Sequence, residues 1–222
     1  MIFKTRGIVF RFTKFKETSI IVTIFTEQFG LQSYIVNGVR SKSAKNRIAL
    51  YQPLTILNLV VYHRENANIE RISEISCLHP YRTLYSDVKK STLAMFINEL
   101  LNKTVKEESH AGEIFHFICD SLIALDTLES GYENFHLAFM IQLSRYLGFG
   151  AHSVNEILGG RMADKETESV LNDLLTVDYQ TPLKISNMQR RLILDLLVKF
   201  YHEHMEQLGE IKSLQVLREV FQ

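Results

Sequence analysis

The apolar residues of this 222-residue chain follow two different spacings. In the first 80 residues they form short runs rich in β-branched and aromatic side chains, a pattern typical of strands. From about Ser86 onward they recur at intervals of three and four residues, which predicts amphipathic helices. We therefore expect two domains, a β-domain over residues 1–80 and a helical domain over residues 81–222.

Five strands are predicted in the first domain, at residues 2–12, 18–26, 31–39, 53–63 and 67–76. Five short strands in so small a domain favour a partly open Greek-key barrel. The OB-fold is the common five-stranded barrel that binds nucleic acid. The predicted fold class is therefore α+β, all-β and then all-α, with an N-terminal five-stranded OB-fold barrel followed by an α-helical domain.

Helices are predicted across the second domain, at residues 91–101, 113–125, 132–148, 166–175, 187–207 and 213–221. The third of these has so little polar surface that we expect it at the centre of a helical bundle. Asn187 and Ser213 stand at the starts of the last two helices, where their side chains are expected to act as N-caps.

The distribution of charge distinguishes the two domains, although the chain as a whole has 25 basic and 25 acidic residues. Residues 1–60 hold nine basic and two acidic side chains, a net charge of +7, so the remainder carries −7. Such asymmetry favours a module that binds a polyanion, joined to a domain with another task.

Part of the positive charge lies in NGVRSKSAKNR, residues 37–47, which contains no acidic residue. A solvated loop is the simpler interpretation of such a segment, and a phosphate-binding loop is the functional one. The candidate nucleic-acid-binding residues are the nine cations of the barrel domain: Lys4, Arg6, Arg11, Lys14, Lys16, Arg40, Lys42, Lys45 and Arg47.

Aromatic residues alternate with these cations, as in proteins that bind single-stranded nucleic acid without sequence preference. Most of these rings are needed to fill the barrel core. Phe12, Phe15 and Tyr34 are the candidates for stacking on bases, because each has a cation or polar neighbour at a predicted loop or strand edge.

Motifs for catalysis or cofactor binding are missing from the sequence, which contains no GxxxxGK[ST], GxGxxG or GxSxG pattern in the required context. Cys77 and Cys119 have no CxxC partner, and His202 and His204 are two apart on a predicted helix, so they project to different sides. We expect no enzymatic activity, no cofactor and no metal site. The two cysteines are expected to be buried free thiols in a reducing compartment.

The N-terminal residues lack the features of a signal peptide, and no apolar run approaches the length of a membrane span. The expected location is cytoplasmic, and no membrane partner is expected.

Several segments resemble the RecO family of bacterial DNA repair proteins. The stretches KTRGIVFRFTKFKETSIIVTIFTEQFG and VNGVRSKSAKNRIALYQPLTIL are similar to the opening of that family and to its basic loop, with Asn37 where the family usually has lysine. The likeness continues through FINELLNK, LSRYLGFG and IKSLQVLREVF, and so spans nearly the whole chain. One departure concerns a four-cysteine zinc motif that many members carry after the LGFG turn. Here that region reads AHSVNEILGGRMADKE, without cysteine.

The resemblance implies a non-catalytic recombination mediator associated with the nucleoid. Such a protein binds single- and double-stranded DNA, anneals complementary strands, and works with RecR to load RecA onto DNA coated by single-strand-binding protein. An adaptor that binds RNA or protein through its barrel is the alternative.

The resemblance also implies that the helical domain binds the C-terminal tail of single-strand-binding protein. An acidic, apolar tail requires a cleft with a cation at its rim. The candidates are Arg145, Lys103, Lys212 and Arg218, with Arg145 first because it interrupts an otherwise apolar helix.

Overall fold

The computed structural model describes residues 1–41, 47–64, 67–106, 110–176 and 183–221. The chain divides into two compact units, described here as the barrel unit and the helical unit. The barrel unit comprises Met1–Tyr81 and Val105–Asp120, and the helical unit comprises Arg82–Thr104 and Ser121–Gln222. The sequence predicted a single division after residue 80, and the return of residues 105–120 to the barrel unit was not part of that prediction.

The barrel unit contains five strands: β1 (Ile2–Phe15), β2 (Ser19–Thr26), β3 (Gly30–Val36), β4 (Ile56–Tyr62) and β5 (Glu70–Cys77). They close into a barrel in the order β1-β2-β3-β5-β4, in which only β3 and β5 pair in parallel. This confirms the predicted five-stranded OB-fold barrel. The fourth strand begins at Ile56 rather than at Pro53, and the third ends at Val36 rather than at residue 39.

Strand β1 is 14 residues long and pairs with both β2 and β4. A bulge between Val9 and Arg11 shifts its register against β2, which lets one strand bend between its two partners. Its glycine, Gly7, lies where neighbouring side chains approach the backbone closely. A Cβ there would be 2.6 Å from Cγ2 of Ile24 and 2.7 Å from Cδ1 of Leu59, so the barrel closes around a residue without a side chain.

Seven α-helices follow the strands within the described residues: α1 (Val88–Thr104), α2 (Ala111–Thr127), α3 (Phe135–Tyr146), α4 (Val154–Leu158), α5 (Lys165–Thr176), α6 (Asn187–His204) and α7 (Ser213–Val220). This confirms the helical second part of the fold. The helix α3 packs against α1, α5 and α6, and nine of its 12 residues are buried, as its sequence predicted.

Both predicted N-caps of the last helices are wrong. The cap of α6 is Ser186, one residue before Asn187, and it forms a capping box in which its side chain and that of Gln189 bond reciprocally to the backbone. The cap of α7 is Lys212, without a side-chain hydrogen bond, and Ser213 is the first helical residue. The helix predicted to run to residue 207 ends at His204.

The two cysteines differ in environment. Cys119 is buried, and burial raises the pKa of its thiol to about 11, which keeps it protonated at neutral pH. Cys77 is exposed at the end of β5, so the prediction that both thiols are buried is wrong for this residue. None of the described helices combines the length and apolar character that crossing a membrane requires.

Candidate nucleic-acid interface

One end of the barrel is formed by the turn between β1 and β2 together with the segment that follows β3. The backbone N–H of Arg40 donates to the carbonyl of Thr18 at 3.0 Å, and its guanidinium donates to the carbonyl of Lys16 at 3.3 Å. The hydroxyl of Ser19 donates to the amide oxygen of Asn37 at 3.0 Å. These contacts bring together two basic segments that are about 20 residues apart in the sequence. We call the cations of these segments the basic end of the barrel: Arg11, Lys14, Lys16 and Arg40.

The side chains of Arg11, Lys14 and Lys16 are exposed along the last part of β1 and its turn, and Arg40 is half-buried. Lys16 has a left-handed backbone with φ of 49°, which fits a tight turn, and its ammonium lies 5.4 Å from the centre of the Phe15 ring. Three exposed cations and the half-buried Arg40 therefore lie close to one end of the barrel, an arrangement suited to a phosphate backbone.

The basic segment continues past Ser41 into residues that lie outside those described. Lys42 and Lys45, which the sequence proposed as phosphate contacts, belong to this part. Arg47 is exposed and precedes a short 3-10 helix at Ile48–Tyr51.

Lys4 and Arg6 lie elsewhere, on the first half of β1. Arg6 donates two hydrogen bonds to the carboxylate of Glu27, from Nε at 2.8 Å and from Nη2 at 2.7 Å, and its guanidinium lies 5.3 Å from the centre of the Phe115 ring. The hydrogen bonds raise the pKa of Arg6 and lower that of Glu27. The positive charge of Arg6 is therefore already matched by a carboxylate.

The three predicted stacking residues have different environments. The prediction is wrong for Tyr34, whose ring is fully buried in the barrel core and whose pKa is raised by that burial. Phe12 is partly buried and packs against the same core. Phe15 is also partly buried, but it lies at the β1–β2 turn beside Lys16, which leaves it as the candidate nearest to the exposed cations.

Two further exposed cations of the barrel, Arg64 and Arg71, flank the connection between β4 and β5. The sequence analysis missed them because Glu65, Glu70 and Glu74 neutralise the local charge. The structure distinguishes these charges: the side chain of Glu70 is only 1 % exposed and therefore contributes almost nothing to the surface.

The four predicted partner-binding residues of the helical unit are not brought together. Arg145 is exposed and donates to the carbonyl of Leu175 at 2.7 Å, and Lys103 donates to the carbonyl of Leu208 at 3.2 Å. Lys212 and Arg218 share a groove of about 850 Å³ at α6 and α7 with Arg191, Ile211 and Leu214, to which Glu210, Gln215 and Glu219 also contribute. Of the four candidates, only this pair therefore lines a groove that also contains apolar side chains.

Within the described ranges, no three histidine, cysteine, aspartate or glutamate side chains are placed together to hold a metal ion. His204 instead stacks on Phe149, and its Nδ1 lies 2.8 Å from the carbonyl of Phe200. The carboxylate of Glu203 pairs with Arg161.

Comparison with known proteins identifies the family. Residues 1–81 match the model of the recombination protein O N terminal domain, and residues 85–175 match that of the recombination protein O C terminal domain. The chain is 32% identical over 236 residues to the DNA repair protein RecO of Flavobacterium johnsoniae, an alignment that covers 98% of each chain. The chain belongs to the RecO family.

Other RecO proteins are similar along their whole length. The identity is 31% to the protein from Phocaeicola vulgatus and 30% to that from Bacteroides fragilis, each alignment covering 100% of both chains. The first family model ends at residue 81, where the first stretch of the barrel unit also ends. Membership of RecO supports a role as a recombination mediator in DNA repair.

Proposed function

We propose that this RecO family member is a non-catalytic recombination mediator that binds single- and double-stranded DNA through the basic end of the barrel. It anneals complementary strands and, with RecR, helps to load RecA onto DNA coated by single-strand-binding protein, in the cytoplasm at the nucleoid. The observation that carries this proposal is the exposure of Arg11, Lys14 and Lys16 at the end of β1, where the hydrogen bonds of Arg40 join the segment after β3 to the β1–β2 turn. Phosphate contacts supply most of the affinity of such proteins, independent of sequence.

The test of DNA binding is a salt titration of the full chain with the triple substitution Arg11→Glu, Lys14→Glu and Lys16→Glu. We expect weaker binding to single strands and duplexes of any sequence. The slope of log K against log salt for single strands should flatten by roughly 0.7 for each lost phosphate contact. The matched control is Lys165→Glu, Lys184→Glu and Lys199→Glu, which makes the same change in net charge on exposed positions of the helical unit.

Equal DNA affinities of the two triple variants would contradict the proposed surface. Binding of RNA as tightly as DNA, without annealing of complementary DNA strands, would favour the alternative of an RNA- or protein-binding adaptor. The mediator role is measured by the rate at which RecA displaces labelled single-strand-binding protein from coated DNA, with and without RecR.

The groove between α6 and α7 is the site that we propose for the tail of single-strand-binding protein. Its apolar side chains Ile211 and Leu214 suit the apolar residues of a peptide, and the exposed cation Lys212 suits a terminal carboxylate, whereas Arg218 already pairs with Asp195. Arg191 and Arg218 are held together, since the Arg191 guanidinium donates to the carbonyl of Arg218 at 3.3 Å.

The tail proposal is tested by comparing Lys212→Glu with Arg145→Glu in the full chain. Both reverse one exposed cation of the helical unit, but only Lys212 lines the groove. Tail-peptide affinity should fall for Lys212→Glu and remain unchanged for Arg145→Glu. A fall in tail-peptide affinity for Arg145→Glu, with none for Lys212→Glu, would place the tail-binding site at Arg145 instead.

A further inference from the structure

A row of outward-facing residues crosses the barrel from the basic end to the β4–β5 connection. Strand register defines it: Thr13 of β1 pairs with Ile21 of β2, which pairs with Ile35 of β3, and Ile35 pairs with Arg71 of β5, which pairs with Tyr62 of β4. Paired residues lie on the same face of a sheet. All five are exposed or partly exposed, so the row forms a continuous strip of surface.

The far end of this strip has the chemistry of a nucleotide-binding subsite. Tyr62 is 44% exposed, although it lies in a strand where the flanking side chain Val61 is completely buried. A cavity of about 540 Å³ is lined by Tyr62, Arg64, Ala67, Ile69 and Arg71, and also by the carboxylate residue Glu70. An exposed aromatic ring between two cations offers a π-face to a base and positive charge to the adjoining phosphates.

The two arginines are available for a ligand. Among the described residues, neither guanidinium has a recorded hydrogen bond or ion pair, in contrast to that of Arg6. The acidic neighbour, Glu70, is buried, and its Oε1 accepts the backbone N–H of Arg64 at 3.0 Å and lies 2.7 Å from Nδ1 of His63. The carboxylate therefore holds the backbone at Arg64, and its charge is directed to Arg64 N–H and His63 rather than to either guanidinium.

The first residue after β4, His63, is also held by ring packing. The imidazole of His63 stacks on the ring of Phe29 with centroids 4.0 Å apart, and the N-terminal ammonium of Met1 donates to the carbonyl of His63 at 3.1 Å. Backbone that is already held in this way, here at His63 and Arg64, loses little conformational entropy when a ligand binds.

We infer that Tyr62 stacks on an unpaired base of single-stranded DNA, with Arg71 and Arg64 on the flanking phosphates, and that the strand crosses β2 and β3 to reach it from the basic end. This inference rests on the proposed DNA binding and names the part of the surface that is specific for single strands. The partly buried Ile21 and Ile35 form an apolar floor between the two ends. The bases of a duplex are already stacked on each other, so a duplex offers no free face to Tyr62 and binds through the basic end alone.

The strip has dimensions suited to a short stretch of a single strand. Adjacent strands are about 4.8 Å apart, so the four steps from Thr13 to Tyr62 span about 19 Å. OB-folds bind sites of roughly 4–16 nucleotides. A few nucleotides bound along this strip would extend the contacts made at the basic end.

The decisive comparison uses the full chain with Tyr62→Ala and Tyr62→Phe, measured with a thymidine 20-mer and with a duplex of the same length. For Tyr62→Ala we expect about tenfold weaker binding of the single strand, the change that a loss of about 1.4 kcal/mol of stacking produces, with duplex affinity unchanged. Tyr62→Phe keeps the ring and should bind both as the parent does. Tyr85→Ala is the matched control, because it removes a tyrosine of similar exposure from the helical unit.

Two further measurements make the result independent of any effect of Tyr62→Ala on folding. Arg71→Gln should flatten the salt slope for the single strand by roughly 0.7 and leave the duplex slope unchanged. An oligonucleotide containing 5-iododeoxyuridine should cross-link on irradiation to the peptide that contains Tyr62, because this photochemistry favours stacked aromatic rings.

The outcomes separate this inference from the proposed function. Unchanged single-strand affinity in Tyr62→Ala and Arg71→Gln, combined with a loss in the Arg11/Lys14/Lys16 variant, would remove the subsite and leave DNA binding at the basic end. A loss of single-strand and duplex affinity alike in Tyr62→Ala would show that the ring has no preference for unpaired bases, which also overturns the inference. Full affinity in all of these variants would overturn both proposals.

Discussion

The guanidinium of Arg6 is held by the carboxylate of Glu27 through two hydrogen bonds of 2.8 and 2.7 Å. This ion pair distinguishes Arg6 from the other cations of β1. Arg11 is exposed, and the structure records no carboxylate partner for it among the described residues. Two arginines of one strand therefore have different environments, and the difference depends on a residue that comes 21 positions after Arg6.

The first prediction contrasts these two arginines. Arg6→Gln should lower the free energy of unfolding by about 1 kcal/mol, because it breaks a partly exposed ion pair, and should leave DNA affinity nearly unchanged. Arg11→Gln should weaken DNA binding and change the free energy of unfolding little. Urea unfolding and fluorescence anisotropy on both variants measure the two effects. Weaker DNA binding by Arg6→Gln of the same size as that of Arg11→Gln would show that the Glu27 pair opens to admit phosphate.

The second prediction concerns acid stability and His136, which is 1% exposed in the core of the helical unit. Burial, together with the positive charge of Arg190, lowers the pKa of His136 from 6.5 to about 3. Between these two values the unfolded chain binds a proton that the folded chain does not. The contribution of this group to stability is therefore fully present above pH 6.5 and declines as the pH falls towards 3, by at most about 1.4 kcal/mol per pH unit.

The measurement is the free energy of unfolding in urea at pH 7 and at pH 5, for the parent, for His136→Leu and for the exposed control His202→Leu. The loss of stability between these pH values should be smaller in His136→Leu than in the parent, and unchanged in His202→Leu. An equal loss in all three proteins would show that His136 does not contribute to the acid sensitivity.

The third prediction concerns Asp126, a buried carboxylate that organises the start of the helical unit. It accepts backbone N–H bonds from Arg82 at 3.0 Å, from Thr83 at 2.8 Å and from Leu84 at 2.8 Å. The ammonium of Lys90 donates to the backbone carbonyl of the same residue at 2.9 Å. Because three donors converge on one side chain, Asp126→Ala leaves buried N–H groups unsatisfied and should lower the free energy of unfolding by roughly 2–4 kcal/mol.

Asp120→Ala on the same helix is the matched control, since Asp120 is exposed and should cost within about 0.5 kcal/mol. Thermal and urea unfolding of the two variants give the comparison. A similar, small loss in both would mean that water or a shifted side chain replaces the carboxylate.

The fourth prediction is that folding does not depend on zinc. The region after the LGFG turn has no cysteine, and the described residues contain no group of three side chains able to hold a metal ion. Protein purified without chelators should contain far less than one zinc ion per chain, and addition of a chelator should leave the melting temperature unchanged. One zinc ion per chain, lost together with stability on chelation, would contradict this prediction.

Much of the fold could be derived from the sequence because strand and helix differ in the period of their apolar residues. The alternation of β-branched residues before Pro80 and the three-and-four spacing after Ser86 depend only on local geometry, so both classes of element and their order were predictable. The near-absence of polar residues in α3 likewise predicted its central position. Caps were less predictable, since Ser186 and Asn187 both suit the N-cap position and differ only in backbone conformation.

The candidate site could be derived only in part. Local sequence reveals that a residue is cationic or aromatic, but whether that side chain is free depends on residues far away along the chain. Tyr34 is a core residue because its ring points into the barrel. Arg6 forms an ion pair with Glu27, which lies just after the neighbouring strand β2. Tyr62 and Arg71 became neighbours because β4 and β5 pair in register, and Glu70 was removed from the surface by burial. Composition and periodicity therefore determined the barrel, the helices and the charge of each part, whereas tertiary packing decided which charges and rings remain available to a ligand.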